Sequence, residues 1–212
     1  RRRFPWLDQA VRDLGRGAGR GGELIDPSRQ GSALVPPQSG LAAALAPAHA
    51  GEATLVLERA HALGEIGAGI QLGPNAFHTF DALGIGDQAR RMAVYIDSLL
   101  LMDAIEDGEI CRVPLGDEFR SRFANPYAVI HRGDLYGVLL RACEQHPLVE
   151  LRTSSDVKDY EQDGGSVTVV LGDRTRIRGK ALIGADGLWS NVRRRVVGDG
   201  AAGHCRALQR AT

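Results

Sequence analysis

Ala53-Thr54-Leu55-Val56-Leu57-Glu58 is a short, almost wholly apolar run that ends in a carboxylate. Such a run is typical of a strand in a parallel sheet, because both faces of that sheet are covered. The preceding residues 41–50 are rich in alanine and leucine, and they predict a helix that ends at Gly51. A helix, a buried strand and a closing acid indicate a dinucleotide-binding unit, whose acid accepts hydrogen bonds from a ribose.

The glycine-rich turn of such a unit is only partly present. Glu58 lies where the ribose-binding acid is expected, although a surface glutamate that ends any buried strand gives the same pattern. Counted back from Glu58, the glycines of a G-x-G-x-x-G turn belong where the sequence has Val35, Pro37 and Gly40. Only Gly40, which permits close packing of helix on strand, is a glycine. Pro36 and Pro37 also lack the backbone N–H groups that an anion-binding turn needs.

The remaining chain predicts further strands and helices around this unit. They are a hairpin over 99–103 and 109–113, a strand over 127–130, a helix to about 145, strands between 149 and 178, a buried strand over 180–184 and a helix over 189–197. The sequence therefore predicts the α/β class: a Rossmann-like dinucleotide-binding domain with an antiparallel β-sheet inserted at about 95–130 and 149–178.

Composition argues against several classes of function. The 26 basic and 26 acidic residues give a formal net charge of zero, so no overall field draws the chain to nucleic acid or to an anionic membrane. We expect no membrane span, because no apolar run reaches about 18 residues. Three scattered cysteines and six histidines without metal-ligand spacing predict no disulfide framework and no metal site. Free thiols favour a reducing, cytoplasmic location.

Three motifs, in this order along the chain, resemble one family. They are Glu58-Arg59 with Gly67-Ala68-Gly69-Ile70-Gln71-Leu72-Gly73-Pro74-Asn75, then Tyr127-Ala128-Val129-Ile130-His131-Arg132-Gly133-Asp134-Leu135, and then Gly184-Ala185-Asp186-Gly187-Leu188-Trp189-Ser190. Together they resemble the group A flavoprotein monooxygenases, which are single-component aromatic hydroxylases, over about residues 40–200. Within that family, residues 102–104, 112–116 and 119–123 are most similar to the hydroxylases of 3-hydroxybenzoate and salicylate.

The resemblance implies a cofactor, a co-substrate and a reaction. FAD would be the cofactor, NADH or NADPH the co-substrate, and a small phenolic aromatic acid would be hydroxylated with O2. Glu58 would hold the adenosine ribose of FAD, Arg59 would lie along the adenine side, and Gly40 would belong to the same cofactor site.

The two later motifs imply further cofactor contacts. Gln71 would approach the flavin, and Arg132 would contact it, since forked cationic donors suit phosphate and carbonyl oxygens. Asp186 and Gly187 would lie close to the pyrophosphate and help to admit the nicotinamide cofactor. A charge at the start of a helix would explain Arg132 equally well, and a plain strand-to-helix turn would explain Asp186-Gly187. No catalytic acid or base is assigned, because the family's candidates fall outside the resemblance.

Both ends of the chain depart from the family pattern. Residues 1–39 are rich in Arg, Gly and Pro without a period, so we expect a poorly ordered segment and hypothesise a frameshift; residues 201–212 form a tail. The partial FAD/NAD(P)-binding domain then covers residues 40–200, and most of the family's substrate domain has no counterpart. Without a first strand, residues 55–57 would lack a neighbour in the sheet, and we expect weak FAD binding or none.

Two other functions stay open at this point. Another flavin oxidoreductase could use the same fold, because a fold does not determine the reaction. An inactive remnant is favoured by the missing glycines and by the missing second half. Retention of flavin and phenol-dependent consumption of NADH distinguish these alternatives.

Overall fold

The chain folds into two compact units. The computed structural model describes residues 32–34, 37–64, 68–187 and 190–198. Unit 1 takes residues 1–63 and 143–212, and unit 2 takes residues 64–142. Among the described residues, no helix has both the length and the apolar character needed to cross a membrane.

The described residues form short strands and helices. In chain order they are β1 (Ser32–Leu34), α1 (Pro37–His49), β2 (Thr54–Leu57), β3 (Gly69–Leu72), α2 (Pro74–Ala82), α3 (Gly86–Met92), β4 (Val94–Tyr95), β5 (Ser98–Met102), β6 (Glu109–Pro114), α4 (Asp117–Phe123), β7 (Ala128–His131), α5 (Arg132–Gln145), β8 (Val149–Arg152), β9 (Val157–Gln162), β10 (Val167–Leu171), β11 (Arg176–Gly179), β12 (Leu182–Gly184) and α6 (Asn191–Val197).

A four-stranded parallel sheet forms the centre of unit 1. Its strand order is β12-β1-β2-β8, and every neighbouring pair is parallel. All four residues of β2 are buried, as expected for an inner strand whose two faces are covered. The prediction that residues 55–57 lack a neighbour is wrong, because β1 pairs with β2 on one side and β8 pairs with it on the other. A strand at Ser32–Leu34 also differs from our expectation that regular structure begins at Gly40.

Helix α1 packs on this sheet through one apolar face. Leu41, Ala44, Leu45 and Ala48 are all buried, and their spacing follows the helical repeat. Pro37 begins the helix, where its missing N–H group is not needed. Pro47 lies in the last turn, so the helix ends two residues after it and little of the hydrogen-bond ladder is lost.

The antiparallel strands β9, β10 and β11 form a second sheet in unit 1. Strand β10 alternates buried and half-buried residues, which is the period of a strand with one covered face. Its buried side chains share a hydrophobic cluster with the central strand β2. The members of that cluster are Leu55, Leu57, Val169, Leu171 and Ile177.

Unit 2 contains two antiparallel sheets. One has the order β3-β7-β4, and the other is the hairpin of β5 and β6, which we predicted over residues 99–113. Strand β3 was not predicted, because its glycine-rich sequence suggested only turns; pairing with β7 makes it a strand. The antiparallel part is therefore not a single inserted sheet, and β8 belongs to the parallel sheet instead.

An ion pair joins the helices α2 and α3 of unit 2. The Arg90 guanidinium donates to both carboxylate oxygens of Asp81, at 2.5 and 2.8 Å, and to Asn125 Oδ1 at 2.8 Å. These hydrogen bonds hold the pKa of the Asp81 carboxyl below its ordinary value. A Cβ at Gly86 would lie 1.9 Å from Asp81 Oδ1, so a side chain there would displace the pair.

Candidate functional site

The carboxyl ends of three parallel strands meet at one edge of the unit 1 sheet. Leu34 lies in register with Leu57 on one side and with Gly184 on the other. Glu58 and Ala185 therefore leave the sheet side by side with the end of β1. The next strand along the chain, β2, pairs with one side of β1, whereas β12 pairs with the other side of β1. Such a reversal of strand order is the point at which open α/β sheets bind ligands.

Glu58 directly follows β2 at this edge and is half-buried. Its Oε1 accepts a hydrogen bond from the backbone N–H of Ala60 at 2.8 Å, which sets the orientation of the carboxylate. Its Oε2 accepts no hydrogen bond from the described residues, so that oxygen is available to a ligand hydroxyl. The next residue, Arg59, is exposed and forms no ion pair with a residue in the described ranges.

Gly40 lies in the first turn of α1 and is buried. The expectation that this glycine allows the helix to approach the sheet closely stays a prediction. Val35 and Pro36 lie outside the described residues. Pro37 begins α1, so the first N–H groups that the helix presents belong to Gln38, Ser39 and Gly40.

Asp186 uses its carboxylate to hold the start of α6. Ser190 donates its hydroxyl to Oδ1, and the backbone N–H of Asn191 donates to Oδ2 at 2.8 Å. The N–H of Val192 donates to Oδ2 at 3.3 Å, and Ser190 Oγ accepts from the N–H of Arg193 at 2.9 Å. Both carboxylate oxygens of Asp186 are thus engaged by the first turn of the helix, which needs such acceptors.

Two glycines shape the turn between β12 and α6. Gly187 has a φ of +76°, a left-handed conformation that glycine adopts without steric cost. A Cβ on Gly184 would lie 2.7 Å from Cβ and Cγ1 of Val192, so α6 packs where only a glycine leaves room. Sequence reasoning did not single out Gly184 by itself, although it opens the third motif.

Gln71 and Arg132 belong to unit 2. Gln71 lies on the exposed face of β3, opposite Val129 of β7, and its Oε1 accepts a hydrogen bond from the Tyr127 hydroxyl at 2.6 Å. Its amide N–H groups donate to none of the described residues. Arg132 begins α5 and is half-buried, and its backbone N–H donates to Ala68 O at 3.2 Å, just before β3. Both residues therefore lie on the antiparallel pair β3–β7 or directly after it.

Comparison with known proteins identifies the family. Residues 37–207 match the family described as FAD binding domain. The chain belongs to this FAD-binding family. The resemblance of the three motifs to flavoprotein monooxygenases is confirmed, and so is the expected α/β fold with its antiparallel additions.

Two relatives carry the same activity in their names. The chain is 56% identical to 3-hydroxybenzoate 6-hydroxylase 1 of Aquipseudomonas alcaligenes over 161 residues, which is 76% of this chain and 41% of the relative. It is 54% identical to 3-hydroxybenzoate 6-hydroxylase of Polaromonas naphthalenivorans over 162 residues, 76% of this chain and 40% of the relative. The chain thus spans about two fifths of the length of these relatives.

A solved structure supports the same fold. The crystal structure of HpxO from Klebsiella pneumoniae, complexed with FAD, aligns with a TM-score of 0.68 and 25% identity. The alignment covers 80% of this chain and 42% of that chain.

The residues at the sheet edge fit the adenosine half of FAD. A carboxylate with one engaged and one available oxygen suits the hydroxyls of a ribose, which are hydrogen-bond donors. The half-buried position of Glu58 at the reversal of strand order is where a ribose-binding carboxylate is expected.

Within the described ranges, no cluster of His, Cys, Asp and Glu could hold a metal ion.

Proposed function

We propose that this chain is the FAD-binding part of an NAD(P)H-dependent monooxygenase that hydroxylates a phenolic aromatic acid of the 3-hydroxybenzoate type. The observation that carries the proposal is the available carboxylate oxygen of Glu58 at the carboxyl edge of the parallel sheet. The names of the two relatives at 56% and 54% identity suggest the substrate class.

Unit 1 would bind the nucleotide end of the cofactor. Glu58 would accept hydrogen bonds from the adenosine ribose, and the exposed guanidinium of Arg59 would lie beside the adenine. The start of α1, including Gly40, would face the pyrophosphate with its first backbone N–H groups and the positive end of the helix dipole. Because Asp186 holds α6, we propose that the backbone at Gly187, and not the carboxylate, approaches the pyrophosphate.

Gln71 and Arg132 would contact the flavin, as the family motifs imply. The Tyr127 hydroxyl fixes the amide of Gln71, so that its N–H groups are presented on the exposed face of β3. Arg132 would supply a cation with forked donors for phosphate or carbonyl oxygens. When bound, FAD supplies the redox chemistry, taking reducing equivalents from NADH or NADPH and using O2 to hydroxylate the ring.

The cytoplasmic location stays a prediction, with which the exposed thiol of Cys111 is compatible because free thiols persist in a reducing compartment.

A second candidate, an inactive remnant, is favoured by Val35 and Pro37 at the positions of two glycines. Those residues would weaken the pyrophosphate contacts of the turn. We therefore expect FAD to bind more weakly, by about tenfold or more, than to a relative that has the glycines.

Flavin titration tests the proposal directly. The purified chain is titrated with FAD while flavin fluorescence is followed, and Glu58→Gln is the variant that removes only the charge of the ribose acceptor. We expect saturable binding that this substitution weakens by about tenfold, because a hydrogen bond to a charged group is lost. Absence of saturable binding at millimolar FAD would contradict the proposal.

Catalysis is a separate measurement. Oxidation of NADH or NADPH is followed with and without 3-hydroxybenzoate, and the products are analysed for a dihydroxybenzoate. Hydroxylated product supports the monooxygenase assignment. Binding of FAD with aromatic-independent oxidation of NAD(P)H favours another flavin oxidoreductase, and binding without any turnover favours the inactive remnant.

A further inference from the structure

The turn that carries Glu58 is held by the connection between β8 and β9. Strand β8 runs parallel to β2, with Arg152 in register with Leu57. Beyond the two strands, the Glu58 N–H donates to Arg152 O at 2.9 Å and the Ser155 N–H donates to Glu58 O at 2.8 Å. The backbone of Glu58 is thus bonded on both sides to residues 152–155.

Ser154 closes this arrangement with its backbone and its side chain. Its N–H donates to Ala60 O at 2.9 Å, and Ala60 is the residue whose own N–H orients the Glu58 carboxylate. Its Oγ lies 2.9 Å from His61 Nδ1, at hydrogen-bond distance. Ser154 adopts a φ of +52°, which a residue with a side chain seldom does.

A serine in the left-handed conformation must be held there by other contacts, because the conformation is unfavourable for residues other than glycine. At this φ, the N–H and the hydroxyl of Ser154 both reach the segment from Ala60 to His61. Two independent contacts therefore join the connection to the turn that orients the Glu58 carboxylate. His61 and Ser154 are both exposed, so their hydrogen bond adds little to the hydrophobic core.

We propose that the β8–β9 connection, closed by the hydrogen bond between His61 and Ser154, is a positioning element for the Glu58 carboxylate. It holds the available oxygen of that carboxylate in place for the ribose of an adenosine nucleotide. This inference rests on the proposed function, and it adds that recognition of the ribose depends on the connection that follows β8, the strand next to β2. His61 and Ser154 act through Glu58 and do not touch the ligand.

The test uses a probe that isolates the ribose contact. Dissociation constants of ADP and 2′-deoxy-ADP are measured by titration calorimetry on the full chain. If Glu58 accepts from the ribose, the wild type prefers ADP by about tenfold, since one charge-assisted hydrogen bond is missing with the deoxy compound. The ratio of the two constants reports ribose recognition and cancels a general loss of binding competence.

Three variants and one control complete the test. Ser154→Gly keeps the left-handed backbone and removes the hydroxyl, His61→Ala removes the ring, and the double variant removes both partners. Ser166→Ala is the matched control, because its hydroxyl hydrogen-bonds to Asp163 in the same unit at 2.9 and 3.0 Å, away from Glu58. Thermal unfolding is recorded for all four proteins.

The expected result is a fall in the ADP preference to about two- or threefold in each single variant. The double variant should lose no more than either single variant, because both remove the same bond. The control should keep the wild-type preference.

Two results would overturn the inference while leaving the proposed function intact. One is an unchanged preference in the variants, and the other is an equal loss of affinity for both nucleotides, which indicates a general structural role. Absence of ADP binding by the wild type at millimolar concentration would instead overturn both this inference and the proposed function.

Discussion

Strand β2 of unit 1 and the β5–β6 hairpin of unit 2 both contain apolar residues but lie in opposite environments. All four residues of β2 are buried, whereas all six residues of β6 are exposed. Leu101 and Ile110 of the hairpin are 59% and 60% exposed, and the hairpin is a sheet of two strands only. Apolar residues therefore indicate a strand in both places, but the number of layers packed around the strand decides how much it stabilises the fold.

The largest expected difference between the two regions is the cost of a charge. Val56→Asp places a carboxylate where the side chain is 0% exposed, and we expect a loss of about 4 kcal/mol or more in the free energy of unfolding. Val113→Asp on β6, where the side chain is 45% exposed, should cost about 1 kcal/mol or less. Urea unfolding followed by circular dichroism measures both. Equal losses would show that the hairpin is as closely covered as β2.

A second prediction concerns the contact of α6 with β12 in unit 1. Gly184→Ala places a Cβ 2.7 Å from the Val192 side chain, and overpacking of this kind costs about 1–3 kcal/mol. The double variant Gly184→Ala/Val192→Ala should recover part of that loss, because it removes the Cγ1 and Cγ2 atoms at 2.7 and 3.2 Å, although the Cβ of residue 192 remains. Thermal unfolding of the two variants, with Gly108→Ala in the hairpin turn as control, checks this. A double variant less stable than Gly184→Ala would contradict the packing argument.

The ion pair of Asp81 and Arg90 should show a smaller, pH-dependent effect. The Arg90 hydrogen bond lowers the pKa of Asp81 from 3.8, so its stabilisation is complete above pH 3.8 and is lost as the pH falls through the lowered folded-state value. Because Asp81 is 47% exposed, we expect Asp81→Asn to cost only about 1 kcal/mol at pH 7. The difference from wild type should shrink as the pH falls below 3.8.

The exposed pair of Glu109 and Arg112 on β6 is the control for that measurement. Its atoms approach to 2.6 Å, but Arg112 is 52% exposed, against 29% for Arg90, and the pair lies on a two-stranded hairpin, so Glu109→Gln should leave the unfolding midpoint unchanged. Urea unfolding at several pH values compares the two pairs. A pH-independent loss in Asp81→Asn would mean that lost packing, and not the charge, is responsible.

Cys143 and Cys111 should also differ in thiol reactivity, a difference that involves no change in the free energy of unfolding. Burial raises the pKa of Cys143 to about 12, and its thiol donates to Leu41 O at 3.5 Å. Cys111 lies on the exposed hairpin. At pH 8, iodoacetamide should modify Cys111 and spare Cys143 until urea unfolds the chain, because the thiolate is the reactive form. Mass spectrometry of tryptic peptides distinguishes the sites, and rapid labelling of Cys143 under native conditions would contradict its burial.

Much of the fold could be predicted from local patterns. Helix α1, strand β2 and the hairpin all carry their signal within a few residues, as a helical repeat, an apolar run or a glycine turn. Strands β1 and β3 were missed for a physical reason. Ser32–Leu34 follows a segment without a period, and Gly69–Leu72 is rich in glycine, so pairing with partners distant in sequence makes each a strand.

The residues of the candidate site also divide into those that a local pattern indicates and those that only the folded structure reveals. Glu58 was singled out as the acid at the end of an apolar run, and its role as the ribose acceptor stays a prediction. The cofactor contacts proposed for Gln71, Arg132 and Gly187 stay predictions. Ser154 had no signal at all, because its importance arises from a left-handed backbone and from hydrogen bonds to residues more than ninety positions away.

The order of residues alone was enough to predict an α/β nucleotide-binding fold and its family motifs, since these depend on spacing within short segments. Tertiary packing determined which strands pair, that the Asp186 carboxylate holds a helix, and that the β8–β9 connection supports Glu58. Those features depend on contacts between distant segments, whose free energies appear only when the chain is folded and water is excluded from between them.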